Sequence, residues 1–224
     1  MIDELNRKIV SCRECPRLVE WRESVAASKR RQYMDWEYWG KPVPGFGDPE
    51  AELLLVGLAP AAHGANRTGR MFTGDQSGNW LYGTLHKFGF ANQPESTGRH
   101  DGLILKNCYI TAAVKCAPPA NKPVKEEFVN CRPYLLKELE LLKNIRVIVA
   151  LGKIAFDTVI TCSQLIQWND FKKKPLFKHG QQVKIRENLY LLASYHPSQQ
   201  NTFTGKLTRP MFHSIFKKVR TIVR

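Results

Sequence analysis

Four short, largely apolar runs rich in β-branched residues set the tightest limit on how this chain can fold. They lie at 53–56 (LLLV), 108–114 (CYITAAV), 147–151 (VIVAL) and 189–193 (LYLLA). A strand without a polar face must be covered on both sides, and parallel sheets flanked by helices supply that cover. Between the runs, 79–88, 124–143 and 154–160 carry apolar residues at helical spacing. A last helix is expected from Thr208 as N-cap, with Pro210 in its first turn and a stripe of Met211, Ile215, Val219 and Ile222. The alternation predicts an α/β protein with a mainly parallel central sheet. At 224 residues it suits one domain, 1–224. Residues 1–50, rich in Arg, Trp and Tyr but poor in periodicity, read as an N-terminal extension wrapping the core.

In open α/β sheets ligands bind beyond the carboxyl ends of the strands, so the four strand exits matter most. The first is GLAPAAHGANRTGRMFTGDQSG (57–78), with five glycines, two arginines, one histidine and one aspartate. The others are KCAPPANKP (115–123), GKIAF (152–156) and SYHPSQQN (194–201). Three of the four place proline beside small residues and a polar group, a composition suited to rigid loops that approach a ligand closely. The 57–78 stretch is expected to form one wall of a site.

Lys and Arg number 34 against 20 Asp and Glu, a surplus of +14. Such a surplus draws phosphate polyanions from a distance and makes nucleic acid the first partner to consider. A solvated, lysine-rich surface is the competing explanation. No apolar run approaches bilayer length, so no membrane partner is expected. The N-terminus opens with acids and lacks the features of a secretory signal, so the expected location is cytoplasmic.

Cysteines stand at 12, 15, 108, 116, 131 and 162. Cys108 and Cys162 fall in apolar runs and read as small buried hydrophobes. Cys12 and Cys15 form a C-x2-C pair, and Cys116 and Cys131 flank a proline-rich stretch; both pairs sit in turn-rich context. Disulfides are disfavoured in an intracellular protein. Four loop thiols suit an all-cysteine metal site, zinc or iron-sulfur, and ligand count leaves both open. An incidental or redox-active C-x2-C is the remaining reading. A metal site here would staple the extension to the loop after the second strand.

Taken together, GLAPAAHGANRTGRMFTGDQSG, YITAAVKCAPPANKP, the four placed cysteines and SYHPSQQNTFTGKLT resemble the family 5 uracil-DNA glycosylases, the B-type enzymes of bacteria and archaea. The resemblance runs from Cys12 to about Met211. It implies a three-layer α/β/α fold around a four-stranded parallel sheet, and a [4Fe-4S] cluster on Cys12, Cys15, Cys116 and Cys131. It also implies a monofunctional DNA glycosylase that hydrolyses the bond between deoxyribose and a deaminated base, initiating base excision repair. Uracil is foremost among the bases, with hypoxanthine and xanthine accepted by many members. The implied partner is DNA carrying such bases, met by a monomeric, nucleoid-associated enzyme. A sliding clamp stays open as a recruiting partner.

The resemblance also assigns roles. Gly57, Ala59 and Ala61 let the backbone approach the base, Phe72 stacks on it, and His63 joins the pocket wall. Asn121 bonds the base edge. His196, in HPS, hydrogen-bonds a base carbonyl and favours the charge growing on the leaving base. Family 4 enzymes carry a glutamate where this chain has Leu58 and an asparagine where it has Ala112, which leaves Asp75 as the nearest carboxylate to orient water and favour the sugar cation. Other readings stand beside these: Asp75 as cap of a helix starting near Ser77, His63 as a loop hydrogen bonder, Phe72 as core. The segment 198–206 reads as a flexible polar loop that enters the DNA. In it Gln199, Gln200 and Asn201 would reach the orphaned partner base, with Lys206 or Arg209 near phosphate. Arg67 and Arg70 would contact the backbone, with internal pairing the alternative for Arg70. The competing function is a non-catalytic iron-sulfur or zinc DNA-binding module. A nucleotide hydrolase is disfavoured because the glycine-rich loop lacks G-x4-G-K-[ST].

Overall fold

All four apolar runs are strands of one sheet. The computed structural model describes residues 1–223. Strands β2 (Leu53–Gly57), β3 (Cys108–Ala112), β4 (Val147–Leu151) and β6 (Leu189–Ser194) lie parallel, with β1 (Phe46–Gly47) and β5 (Gln182–Arg186) as antiparallel edges. The order is β1-β3-β2-β4-β6-β5, so the expected four-stranded parallel sheet is the centre of a six-stranded mixed one. β5 carries a period-2 signal, with Val183 and Ile185 buried and charged or amide side chains between them, as an edge strand with one wet face should.

Side chains alternate across the central strands. Leu53 and Leu55 face a core shared with α4 (Gln76–Lys87) and α8 (Arg209–Ile222). Leu54 and Val56 face a second core, shared with α1 (Ile2–Val10), α5 (Lys125–Leu141) and α6 (Lys153–Leu165). The result is a three-layer α/β/α arrangement. Thr208 caps α8 by accepting from the Met211 N–H, with Pro210 in the first turn. Among the described residues no helix is long and apolar enough to cross a membrane.

The N-terminal fifty residues are more regular than their poor periodicity suggests: their first half forms two helices, α1 and α2 (Pro16–Ser28). Ile2, Leu5 and Ile9 make one apolar stripe that joins the α5 and α6 layer.

β3 lies on one side of β2 and β4 on the other, so the strand order reverses at the gap between β2 and β4. Ligand-binding crevices form at such reversals, beyond the carboxyl ends of the strands. Here that places a site beside Gly57, Gly152 and the segment after β6.

Candidate active site

A cleft of about 1070 Å³ opens at these strand ends. Its lining includes Gly57, Ala59, Ala61, His63, Phe72, Asp75, Asn121, His196, Gln199 and Gln200, residues from three strand exits. Asp75 is the sole carboxylate among the lining residues.

The glycines of the 57–78 loop are sites of close approach. A Cβ on Gly57 would lie 2.8 Å from Cζ of Phe72, and one on Gly64 would lie 2.8 Å from Oδ2 of Asp75. A Cβ on Gly78 would overlap the Phe72 carbonyl oxygen. Phe72 itself is held at φ 55°, a left-handed conformation that side chains rarely adopt. The chain therefore accepts local strain to turn the Phe72 ring into the cleft, where it stacks on His196 with centroids 5.9 Å apart and planes 30° from parallel. We expect Gly57→Ala to displace that ring and weaken binding of a nucleobase by about tenfold, as loss of one stacking contact does. Titrating the variant with an oligonucleotide checks it, and unchanged affinity would show that the Phe72 position is not critical.

The cap reading of Asp75 holds: it is the N-cap of α4, with Oδ1 accepting from the Gly78 N–H at 2.9 Å, and the same side chain lines the cleft. Burial pushes its pKa up, opposed by the backbone N–H groups of Gly78 and Ser77 and by the charge of Arg67. His196 follows β6 and lines the cleft half-buried. The surrounding protein pushes its pKa down to about 4, so the imidazole is neutral at physiological pH. Its carbonyl accepts from Asn201 Nδ2 at 2.8 Å. Asn121 is exposed at the cleft edge, on the turn Pro119–Asn121, where Ala120 and Asn121 both take positive φ. His63 lines the cleft and its Nδ1 meets the Tyr38 hydroxyl at 3.1 Å.

Two of the expected DNA contacts are turned inward. Arg70 is 6% exposed and engaged by Asp101 at 2.5 Å, Ser96 Oγ at 3.0 Å and the Arg99 carbonyl at 2.7 Å, so the internal pairing holds and no phosphate contact is open to it. Arg67 is 3% exposed, its Nε on the His63 carbonyl and its guanidinium between the rings of Tyr33 and Trp36. Asn201 is half-buried, with Nδ2 donating to the His196 carbonyl. The 198–206 segment is also less irregular than expected: Ser198 caps a short helix, α7 (Gln199–Phe203). Gln199 and Gln200 remain exposed on it beside Phe203, and Lys206 is exposed with Nζ 5.2 Å from the Tyr195 ring centre. Arg209 stacks on Trp80 at 4.2 Å. Arg30, Gln32, Tyr33 and Trp36 also line the cleft, and no motif in the sequence marks them as site residues.

Cys12, Cys15, Cys116 and Cys131 converge around one small cavity, although the two pairs lie about a hundred residues apart in the chain. Cys131 is buried on α5, as the helical spacing over 124–143 predicts, and is not the loop thiol that its proline-rich surroundings suggested. Cys108 and Cys162 are fully buried elsewhere, as apolar packing. Among the described residues no group of three or more His, Cys, Asp or Glu forms a site for a single metal ion. The buried Arg22, 2% exposed, donates to Cys116 Sγ at 3.0 Å, and Asn130 Nδ2 lies 3.4 Å from Cys15 Sγ. The Nε of Arg22 has no partner. The guanidinium also donates to the Cys12 carbonyl and pairs with Glu23 at 3.6 Å, and thiolates around a metal group would add to that compensation where neutral thiols do not. The donor set fits an all-cysteine group.

Fold and cleft define an α/β protein with an aromatic-bearing cleft at the topological switch of a parallel sheet. The chain belongs to the uracil DNA glycosylase superfamily, whose family model matches residues 44–220, and within it to the type-5 branch. It is 50% identical over 222 residues to the type-5 uracil-DNA glycosylase of Mycobacterium leprae, covering 99% of this chain and 95% of that one. It is 49% identical over 214 residues to the type-5 enzyme of Thermus thermophilus, covering 96% and 94%. Similarity to the type-4 uracil-DNA glycosylase of Archaeoglobus fulgidus is lower, 28% over 230 residues.

Proposed function

We propose that the protein is a monofunctional uracil-DNA glycosylase that removes uracil, and hypoxanthine and xanthine with it, from DNA as the first step of base excision repair. The observation that carries the reading is the meeting of Phe72, His196 and the lone carboxylate Asp75 in one cleft. Small residues on the wall, Gly57, Ala59, Ala61 and Ala112, leave room for a purine.

The reacting carbon is inaccessible inside a duplex, so the nucleotide must be everted into the slot. There Phe72 offers a ring face and Asn121 an amide for the base edge. The neutral His196 donates one N–H to a base carbonyl. As the bond from C1′ to the base nitrogen breaks, its electron pair leaves with the base, and a donor fixed in a dry site stabilises that negative charge far better than water does. A neutral imidazole can fill this role, because one of its ring nitrogens carries an N–H donor. The cation left on the sugar faces Asp75, which orients a water onto C1′ and accepts its proton. Free base and an abasic sugar result. Incubation with uracil-bearing oligonucleotides, followed by alkali, tests the reading. Strand scission is expected, and none above buffer would point to a binding module instead.

What supports a [4Fe-4S] cluster on Cys12, Cys15, Cys116 and Cys131 is their convergence together with the buried Arg22 beside them. Bound there it would serve structurally, tying α2 and α5 to the chain after β3. Purified protein is expected to be brown and to hold about four irons per chain. Colourless, zinc-loaded protein would contradict it.

A further inference from the structure

One part of the cleft wall plays no part in this mechanism. It comes from 29–36, KRRQYMDW, a segment with three cations and two aromatic rings in eight residues. Arg30, Gln32, Tyr33 and Trp36 line the cleft, while Met34 and Trp36 are 55% and 40% exposed. Large apolar side chains left in water beside cations mark a binding surface more than a core. Asp35 and Glu37 are exposed in the same segment, but neither lines the cleft.

The rings are held in place. The Arg67 guanidinium lies 3.9 Å from the Tyr33 centroid and 4.1 Å from that of Trp36, and the two rings meet edge to face at 6.0 Å. Arg67 is anchored in turn by its Nε on the His63 carbonyl at 2.8 Å. A second link runs from the Arg30 N–H to the Tyr38 hydroxyl at 3.3 Å, and from that hydroxyl to His63 Nδ1 at 3.1 Å. The segment is thus fastened twice to the pocket loop. Fixed aromatic faces beside exposed cations are the combination that binds unpaired nucleotides, bases on the rings and phosphates on the cations.

We propose that residues 30–36 form a strap that binds the target strand next to the everted nucleotide. Trp36 and Tyr33 are the stacking surface for a neighbouring base, and Arg30 and Arg31 contact its phosphates. Arg67 is a positioning residue that pins the two rings. The proposal rests on reading the cleft as a DNA site, so its test uses a probe without uracil: a fluorescein-labelled oligothymidylate followed by anisotropy.

Trp36→Ala is expected to raise Kd about tenfold, while Trp36→Phe, which keeps a ring, stays within about twofold of the parent. Replacing Arg30 and Arg31 together with glutamine should lower the slope of log affinity against log salt by about 1.4, two single-strand phosphate contacts. All three positions are exposed, and unchanged melting curves will show that folding is intact. Parent-like affinity for Trp36→Ala, equal loss for Trp36→Phe, or an unaltered salt slope would each overturn the strap. Excision of uracil is scored separately. Protein that binds through the strap yet leaves uracil in place overturns the glycosylase reading alone, and protein that excises uracil with strap variants indistinguishable from the parent overturns the strap alone.

Discussion

His196→Ala is expected to slow single-turnover excision of uracil by about 10²–10³-fold, the usual loss when one preorganised donor to a developing anion is removed. Affinity for DNA should move by less than about twofold, because the interaction belongs to the transition state and not to ground-state binding. The side chain stacks only on Phe72 and is open to the cleft, so the melting temperature should hold. Parallel loss of stability and rate would make His196 a packing residue.

The pH profile tests the same residue independently. His196 takes up a proton below about 6.5 in the unfolded chain but only near 4 in the fold. Between those values the unfolded state binds more protons, so this group's contribution to stability falls as pH is lowered from 6.5 towards 4 and is level below. The working species is the neutral one. This imidazole should therefore contribute no step at pH 6.5; the fall in excision at lower pH carries both His196, near 4, and Asp75, whose carboxyl burial holds above its ordinary range. A half-maximal rate near 6.5 that persists in Asp75→Asn would mean an imidazole in ordinary contact with water.

The second large effect concerns Asp75, whose two roles separate by substitution. Asparagine caps helices about as well as aspartate, so Asp75→Asn should retain the Gly78 contact and the stability of α4. Asp75→Ala should lose about 1 kcal/mol, or roughly 2–4 °C for a chain of this size. Both should lower turnover by about 10²–10³-fold, since neither can accept a proton from water or face the sugar cation as an anion. If Asp75→Asn works nearly as fast as the parent, Asp75 is only a cap.

The parallel strands were legible because a segment buried on both faces has no polar positions, as 53–56 and 147–151 show. His196 was legible because a proline fixes the chain just where a strand ends. β1, two residues long, carries no pattern at all, and α1 was overlooked although Ile2, Leu5 and Ile9 recur at helical spacing. The arginines were misjudged for a different reason. Whether a guanidinium points out or in depends on partners distant in sequence: Asp101 for Arg70, and the rings of Tyr33 and Trp36 for Arg67. The helical spacing over 124–143 already contained Cys131, but the prolines upstream, Pro118, Pro119 and Pro123, made it read as a loop thiol as well. The helix prevails, with Pro133 tolerated inside α5 and its ring exposed.

The central proposal is that one dry slot grips the everted base and receives its charge. A co-crystal structure of Asp75→Asn with duplex DNA carrying a 2′-fluorinated deoxyuridine, whose glycosidic bond resists cleavage, addresses it directly. The expected result is a uracil ring stacked on Phe72, a ring nitrogen of His196 within hydrogen-bond reach of a base carbonyl, and residue 75 beside C1′. A uracil still paired in the duplex, or bound where His196 and residue 75 do not touch it, would contradict the proposal.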